Sequence, residues 1–165
     1  MSMPTSPAEL FNRLVEAMRP SVTAETVLVG IHTGGVWIAE RLHEALGLRA
    51  PMGSIDVSYH RDDHHLGGGR HGGRASQLPL DVNGAHVVIV DDVLATGRTI
   101  RAAMNELFDY GRPARIDLAV LIDRGGRELP IAATWCGEAV SMPTSQTLEL
   151  TKAENGDLAF RVIEK

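Results

Sequence analysis

The chain has a single cysteine, Cys136, among its 165 residues. It therefore cannot make an intrachain disulfide. The opening MSMPTSPAELF has neither a basic start nor a sustained apolar run, and with one cysteine this leads us to expect a cytoplasmic protein. Long hydrophobic runs are missing as well. No stretch approaches the roughly 20 apolar residues a membrane-spanning helix needs, so we expect no membrane insertion. Nor is there an excess of positive charge: 16 Lys and Arg stand against 21 Asp and Glu, a net charge of -5. The molecule as a whole therefore has no field to draw it to nucleic acid or an anionic surface. Internal repeats and composition breaks that would mark a second domain are also lacking.

What is present is an ordinary globular composition, 44% hydrophobic and 22% charged. A chain of this length buries roughly 70% of its unfolded surface, and the expectation is one domain over residues 1–165. Nine of the sixteen basic residues fall between Arg61 and Arg127. Surface solvation accounts for most of them, but the clustering also suits one phosphate-rich ligand.

Apolar residues Leu10, Phe11, Leu14, Val15 and Met18 recur at helical spacing after Ser6-Pro7, a capping serine and a first-turn proline. A short β-branched run, residues 26–31, leads through His32-Thr-Gly-Gly35 into a second helical pattern ending at Leu46. Residues 53–59, GSIDVSY, alternate like a strand with one wet face. Residues 60–79 carry five glycines and no hydrophobic period, the mark of a long flexible loop. Residues 87–90 are apolar without alternation, as in a strand covered on both faces, and a helical pattern follows from Arg98 to Gly111. Further strands are expected over 116–122 and 132–136, and a terminal hairpin over 146–163 around Glu154-Asn-Gly-Asp157. Alternating strands and helices imply an α/β fold: an open, mostly parallel, doubly wound sheet with flanking helices. Its ligands should bind outside the carboxyl ends of the strands.

The stretch VVIVDDVLATGRTI, residues 87–100, stands at such an end. Unpaired N–H groups at a helix start, the helix dipole, Gly97 and the hydroxyls of Thr96 and Thr99 together make an anion cradle. Carboxylates beside it would repel a bare phosphate. Asp91 and Asp92 make sense there if the ligand also offers hydroxyls or a metal, as a sugar phosphate with magnesium does. A lone aspartate would read as a turn residue, but here a two-face-buried strand, two acids, a Thr-Gly-Arg-Thr turn and a helix coincide. Two further patterns carry less. Gly67 to Gly72 matches G-x-G-x-x-G but neither follows a strand nor opens a helix. His60, His64, His65 and His71 with Asp62 and Asp63 offer metal donors without the spacing of a zinc site.

This stretch resembles the phosphoribosyl-pyrophosphate (PRPP) signature of the type I phosphoribosyltransferases. With residues 30–35, 54–63, 121–130 and 143–145 in the same order, the chain is similar to the PyrR family, pyrimidine operon attenuators that are also uracil phosphoribosyltransferases. The resemblance implies that Asp91 and Asp92 hold the ribose hydroxyls and act in catalysis with Arg61. It implies that Val93, Leu94, Ala95, Thr96, Gly97, Arg98 and Thr99 complete the ribose-phosphate site. Pyrophosphate would fall to Thr33, Gly34, Gly35, Arg61 and Arg74, and the base to Ile122, Asp123, Arg124 and Val140. Residues 61–74 correspond to the flexible hood that excludes water during transfer. Magnesium (Mg2+) is implied through PRPP, with Asp91 or Asp92 as the candidate protein ligand. The implied partners are PRPP, uracil and UMP in a homodimer or homotetramer. Ala95 stands where some purine-using relatives have an aspartate, which fits a pyrimidine. Family members usually carry arginine at the position of Gly34, and restoring it is expected to raise turnover if pyrophosphate contacts are limiting. The alternative is a UMP- or UTP-sensing RNA-binding attenuator. It is disfavoured by Gly126, where RNA-binding members have histidine, by a first helix with only Arg13 and Arg19, and by the acidic net charge.

Overall fold

The computed structural model describes residues 3–57 and 76–165. Arg61, Arg74, the whole of the expected hood, 61–74, and the histidine-rich set lie outside these residues. Helix α1, Pro7–Met18, starts where Ser6 and Pro7 place it: the Ser6 hydroxyl accepts from the Glu9 N–H and Pro7 occupies the first turn. Strand β1, Val27–Ile31, is buried at every position and leads into α2, Gly34–Leu46, which ends at Gly47. Then come β2, Gly53–Ile55; β3, His86–Leu94; α3, Arg98–Tyr110; β4, Arg115–Asp123; and β5, Trp135–Ala139. The chain closes with β6, Gln146–Lys152, and β7, Leu158–Glu164.

The five strands form a parallel sheet in the order β2-β1-β3-β4-β5, and β6 and β7 form a separate antiparallel hairpin. Because strand side chains alternate between faces, the sheet has two cores. Leu28, Val88, Val90, Ala119 and Leu121 pack under α1, α2 and the hairpin residues Leu148 and Leu150. Val27, Val29, Val87, Ile89, Leu118 and Val120 pack under Ile100, Ala103 and Leu107 of α3. This is the doubly wound architecture that the alternating pattern implied. No helix among the described residues is long and apolar enough to cross a membrane.

Three strands depart from the sequence-based boundaries. Strand β3 does not stop at Val90; it continues through Asp91 and Asp92 to Leu94, paired to Asp123 of β4. Among the described residues of the expected 53–59 strand, Gly53–Ile55 pair as β2, and no exposed face alternates along 53–57. Ser54 exchanges backbone hydrogen bonds with Gln77 at 2.7 and 2.8 Å, while Asp56 and Val57 are buried. Strand β5 lies three residues later than the expected 132–136. Thr134 is spent on β4, its N–H donating to the Leu118 carbonyl and its hydroxyl to Asp117. Pairing runs instead from Trp135 opposite Ala119 to Ala139 opposite Asp123. Gly137, which reads as a strand breaker, is where α1 crosses: a Cβ there would stand 3.1 Å from that of Leu10.

The amino end of the sheet is pinned by Asp117, which accepts hydrogen bonds from His86 at 2.7 Å and Arg115 at 2.8 Å as well as from Thr134. Burial pushes this carboxyl's pKa up, but those three donors outweigh it and hold it below the usual aspartate value. The carboxyl end of the sheet is left for the site.

Candidate functional site

Between β1 and β3 the strand order reverses, since β1 leads outward to β2 and the chain then returns to the other side. Such a switch point opens a crevice beyond the carboxyl ends of the strands. Here the crevice is a cleft of about 810 Å³. Thr33 and Gly34 line it from the end of β1, Asp91 and Asp92 from β3, and Ala95, Thr96 and Thr99 from the turn into α3. Residues far apart in the chain, such as Gly34 and Asp92, are thus brought together by one topological feature.

Two helices begin at this cleft. Helix α2 opens at Gly34 with Thr33 before it, and α3 opens at Arg98 with Gly97 as its cap. Neither cap residue, Thr33 or Gly97, bonds the first turn through a side chain, so apart from the Arg98 N–H, which Thr96 takes, the first-turn N–H groups and the helix dipoles are left for an anion to complete. Gly97 sits at φ 94°, and a Cβ there would also press on Ile131 at 3.0 Å. Only glycine meets both conditions. Thr96 fixes the turn, its hydroxyl accepting from the Arg98 N–H at 3.1 Å and its carbonyl from the Glu128 N–H at 2.9 Å.

The two aspartates are held by the backbone that follows each. Asp91 Oδ1 accepts from the Asp92 N–H and Asp92 Oδ1 from the Val93 N–H, both at 2.8 Å. Asp91 is buried, and Asp92 is half-buried with Oδ2 directed over Gly34. A Cβ on Gly34 would lie 2.8 Å from Asp92 Cγ and closer still to Oδ2. The glycine loop and the second acid are therefore in close register. Gly35 is tucked against the backbone of Val90 and Asp91.

The segment after β4 forms the neighbouring wall. Arg124, Gly125 and Gly126 line the cleft. Asp123 does not: it accepts from the Gly125 N–H at 2.9 Å and from Arg127 at 2.6 Å. Burial would raise the Asp123 pKa, but the Arg127 and Gly125 donors outweigh it and the pKa lies below the ordinary value. Arg127 also donates to the Ala95 carbonyl at 2.7 Å, tying this segment to the phosphate turn. Ile122 is fully buried in the core and Val140 packs against the same core, its N–H donating to the Asp123 carbonyl at 2.8 Å. Of the four residues expected at the base, then, Arg124 is the one that reaches the cleft wall.

Sequence reasoning missed the far wall. Thr147, Leu148, Glu149 and Leu150 of β6, Ile163 of β7, and Lys165 line the cleft, together with Trp37 of α2. The hairpin is fastened over α2 by Arg41, which donates to the Gly156 carbonyl, and by Lys152, whose Nζ lies 5.2 Å from the centre of the Trp37 ring. The turn signal at residues 154–157 located the hairpin but carried nothing about where it docks. Arg98 and Glu128 pair at the rim at 2.8 Å.

Chemically, the cleft combines adjacent carboxylates suited to hydroxyl groups with two helix starts suited to anions. Residues 9–143 match a protein family described as the phosphoribosyl transferase domain. The bifunctional protein PyrR of Pseudomonas paraeruginosa is 47% identical over 154 residues, covering 91% of this chain and 90% of that protein. The protein of the same name from Pseudomonas putida is 44% identical over 170 residues, covering 98% of each. A solved hypoxanthine phosphoribosyl transferase of Trypanosoma cruzi has the same fold, with a TM-score of 0.66 at 23% identity over 86% of this chain and 78% of that one.

Proposed function

This chain belongs to the phosphoribosyltransferase family, among the PyrR proteins, and from that premise we propose that it transfers the phosphoribosyl group of PRPP to uracil, giving UMP and pyrophosphate. The observation that carries this reading is the placing of Asp91 and Asp92 between the starts of α2 and α3 at the switch point. A ligand that suits all of it has vicinal hydroxyls in the middle and phosphates at both ends, as PRPP does. The ribose hydroxyls go to Asp91 and Asp92, the 5′-phosphate to the turn from Ala95 to Thr99, and the pyrophosphate to Thr33, Gly34 and Gly35.

Transfer at the ribose C1 needs no covalent nucleophile from the protein. The chain's part is to orient PRPP, to stabilise charge leaving with pyrophosphate, and to keep water from an oxocarbenium-like centre. Among the described residues no group of three His, Cys, Asp or Glu gathers to hold an ion. The Asp91 and Asp92 pair instead fits Mg2+, which keeps waters and substrate oxygens in its shell and takes one or two carboxylates from the protein. When bound, magnesium would offset charge on the leaving pyrophosphate. Uracil is supported by Ala95, which puts a methyl group and no carboxylate on the cleft wall, and by the similarity to the PyrR proteins. Consumption of PRPP with magnesium across uracil, orotate and purine bases tests this. Turnover is expected with uracil; turnover of hypoxanthine or guanine with uracil untouched would overturn the assignment.

A second reading, RNA-binding control of pyrimidine genes in response to UMP or UTP, is favoured by the name bifunctional that these relatives carry. The net charge of -5 gives a weak phosphate-contact term. Gly126 adds no side chain where the resemblance expects histidine, and its φ of 81° suits glycine. The expected result of a gel-shift titration with a pyrimidine-leader RNA is weak binding that UMP does not change. Tight binding strengthened by UMP would reverse the ranking of the two readings.

A further inference from the structure

The residues assigned above deal with ribose, phosphate and pyrophosphate, and none of them acts on the proton that uracil must lose from N1. Ala95 leaves no general base at the wall beside the phosphate turn. Arg124 stands out against this background. It is only 9% exposed although it is an arginine on a cleft wall. One terminal nitrogen donates to the Gln146 carbonyl at 2.8 Å and the other to the Pro143 carbonyl at 3.5 Å, while its Nε is buried without a hydrogen-bond partner. Both acceptors are neutral. None of the ion pairs among the described residues includes it. The adjacent Asp123 is taken by Arg127. A guanidinium withdrawn from water with no counter-charge is costly unless something that binds beside it brings negative charge.

We propose that Arg124 supplies the positive potential that stabilises the uracil anion formed at N1 in the cleft. This inference rests on the uracil reading above. The N1–H bond breaks and its proton goes to solvent. The N1 electron pair then forms the bond to ribose C1, and the pair of the breaking C1–O bond leaves with pyrophosphate. A nearby cation lowers the pKa of an acid by roughly one to three units, which replaces a general base by making the bound anion more abundant. Arg124 acts through its charge while its hydrogen bonds to Pro143 and to Gln146, the first residue of β6, hold it in place.

The test uses the full chain with PRPP and magnesium and reads kcat at saturating base from neutral to alkaline pH. Other charged or titratable groups on the same cleft are His32, Asp91, Asp92, Glu128, Glu149 and Lys165; they are common to all variants and cancel in the comparison. Arg124→Gln is expected to lower kcat with uracil about tenfold or more at neutral pH. Its deficit should shrink as the pH rises toward the ionisation of uracil itself, and should be smaller with 5-fluorouracil, whose N1–H is more acidic. Arg124→Lys, which keeps the charge, should retain most of the wild-type profile. A deficit that is the same at every pH, for both bases and in both variants would mean that Arg124 only holds the hairpin, and would overturn the proposal. Should Arg124→Gln not fold, the wild-type profile decides: kcat should rise with pH to a plateau reached below the free ionisation of uracil, and a plateau at that ionisation overturns it. Wild-type protein that does not use uracil at all brings down the underlying reading and this inference together.

Discussion

Asp92→Asn is expected to lower kcat/KM for PRPP about 100- to 1000-fold, in the range seen when one preorganised group of a transition-state site is removed, with little change in thermal stability. Asp92 is half-buried, and among the described residues its side chain bonds the backbone through Oδ1, which accepts from the Val93 N–H at 2.8 Å. Asparagine keeps an Oδ1 that can accept the same bond, so β3 should close as before. The substitution instead removes the negative charge and turns the other oxygen, the one over Gly34, into a donor. A ribose hydroxyl that donated to a carboxylate there loses a charge-assisted bond, and these are roughly twice as strong as neutral ones. Steady-state kinetics with PRPP varied, beside a thermal melt, separate the two effects. A kcat/KM within about threefold of wild type would remove Asp92 from the ribose site.

The second large effect is expected at Gly34, where charge and space point in opposite directions. Counting charge alone, an arginine there adds a pyrophosphate ligand and should raise turnover. In the structure a Cβ at this position would stand 2.8 Å from Asp92 Cγ and 3.2 Å from Asp92 Cβ. The strand backbone fixes that Cβ, so the Asp92 carboxylate has to swing away. A displacement of about 1 Å in a positioned group can cost 100-fold. Gly34→Ala should therefore lower kcat/KM for PRPP about 100-fold, and Gly34→Arg, which carries the same Cβ, should also fall below wild type. Kinetics of both variants decide the matter. An arginine variant faster than wild type would show that pyrophosphate charge, and not the seat of Asp92, limits this protein.

How much of this was legible in the sequence depended on how local each signal is. Strands buried on both faces read as unbroken apolar runs, so β1 and the centre of β3 were visible, and Ser6-Pro7 marked the start of α1. The ribose-phosphate stretch was also visible because acids, glycine and helix start are adjacent in the chain. Strand pairing is not local. The continuation of β3 through two aspartates depends on β4 beside it, and the true position of β5 depends on α1 crossing at Gly137. The base side was the least legible. Ile122 and Val140 were placed by resemblance and lie in or against the core, whereas the burial of Arg124 arises from carbonyls about twenty residues further along the chain.

The hairpin of β6 and β7 carries a consequence for how the cleft is held. Among the described residues it hydrogen-bonds as a sheet only to itself, and its outermost pair, Gln146 and Glu164, is 18 positions apart. It can form and come apart without breaking any ladder bond of the five-stranded sheet. The far wall of the cleft is thus held by side-chain packing, with Leu148 and Leu150 in the core, and not by strand pairing, whereas Asp91 and Asp92 stand on a strand end fixed by the ladder to β4.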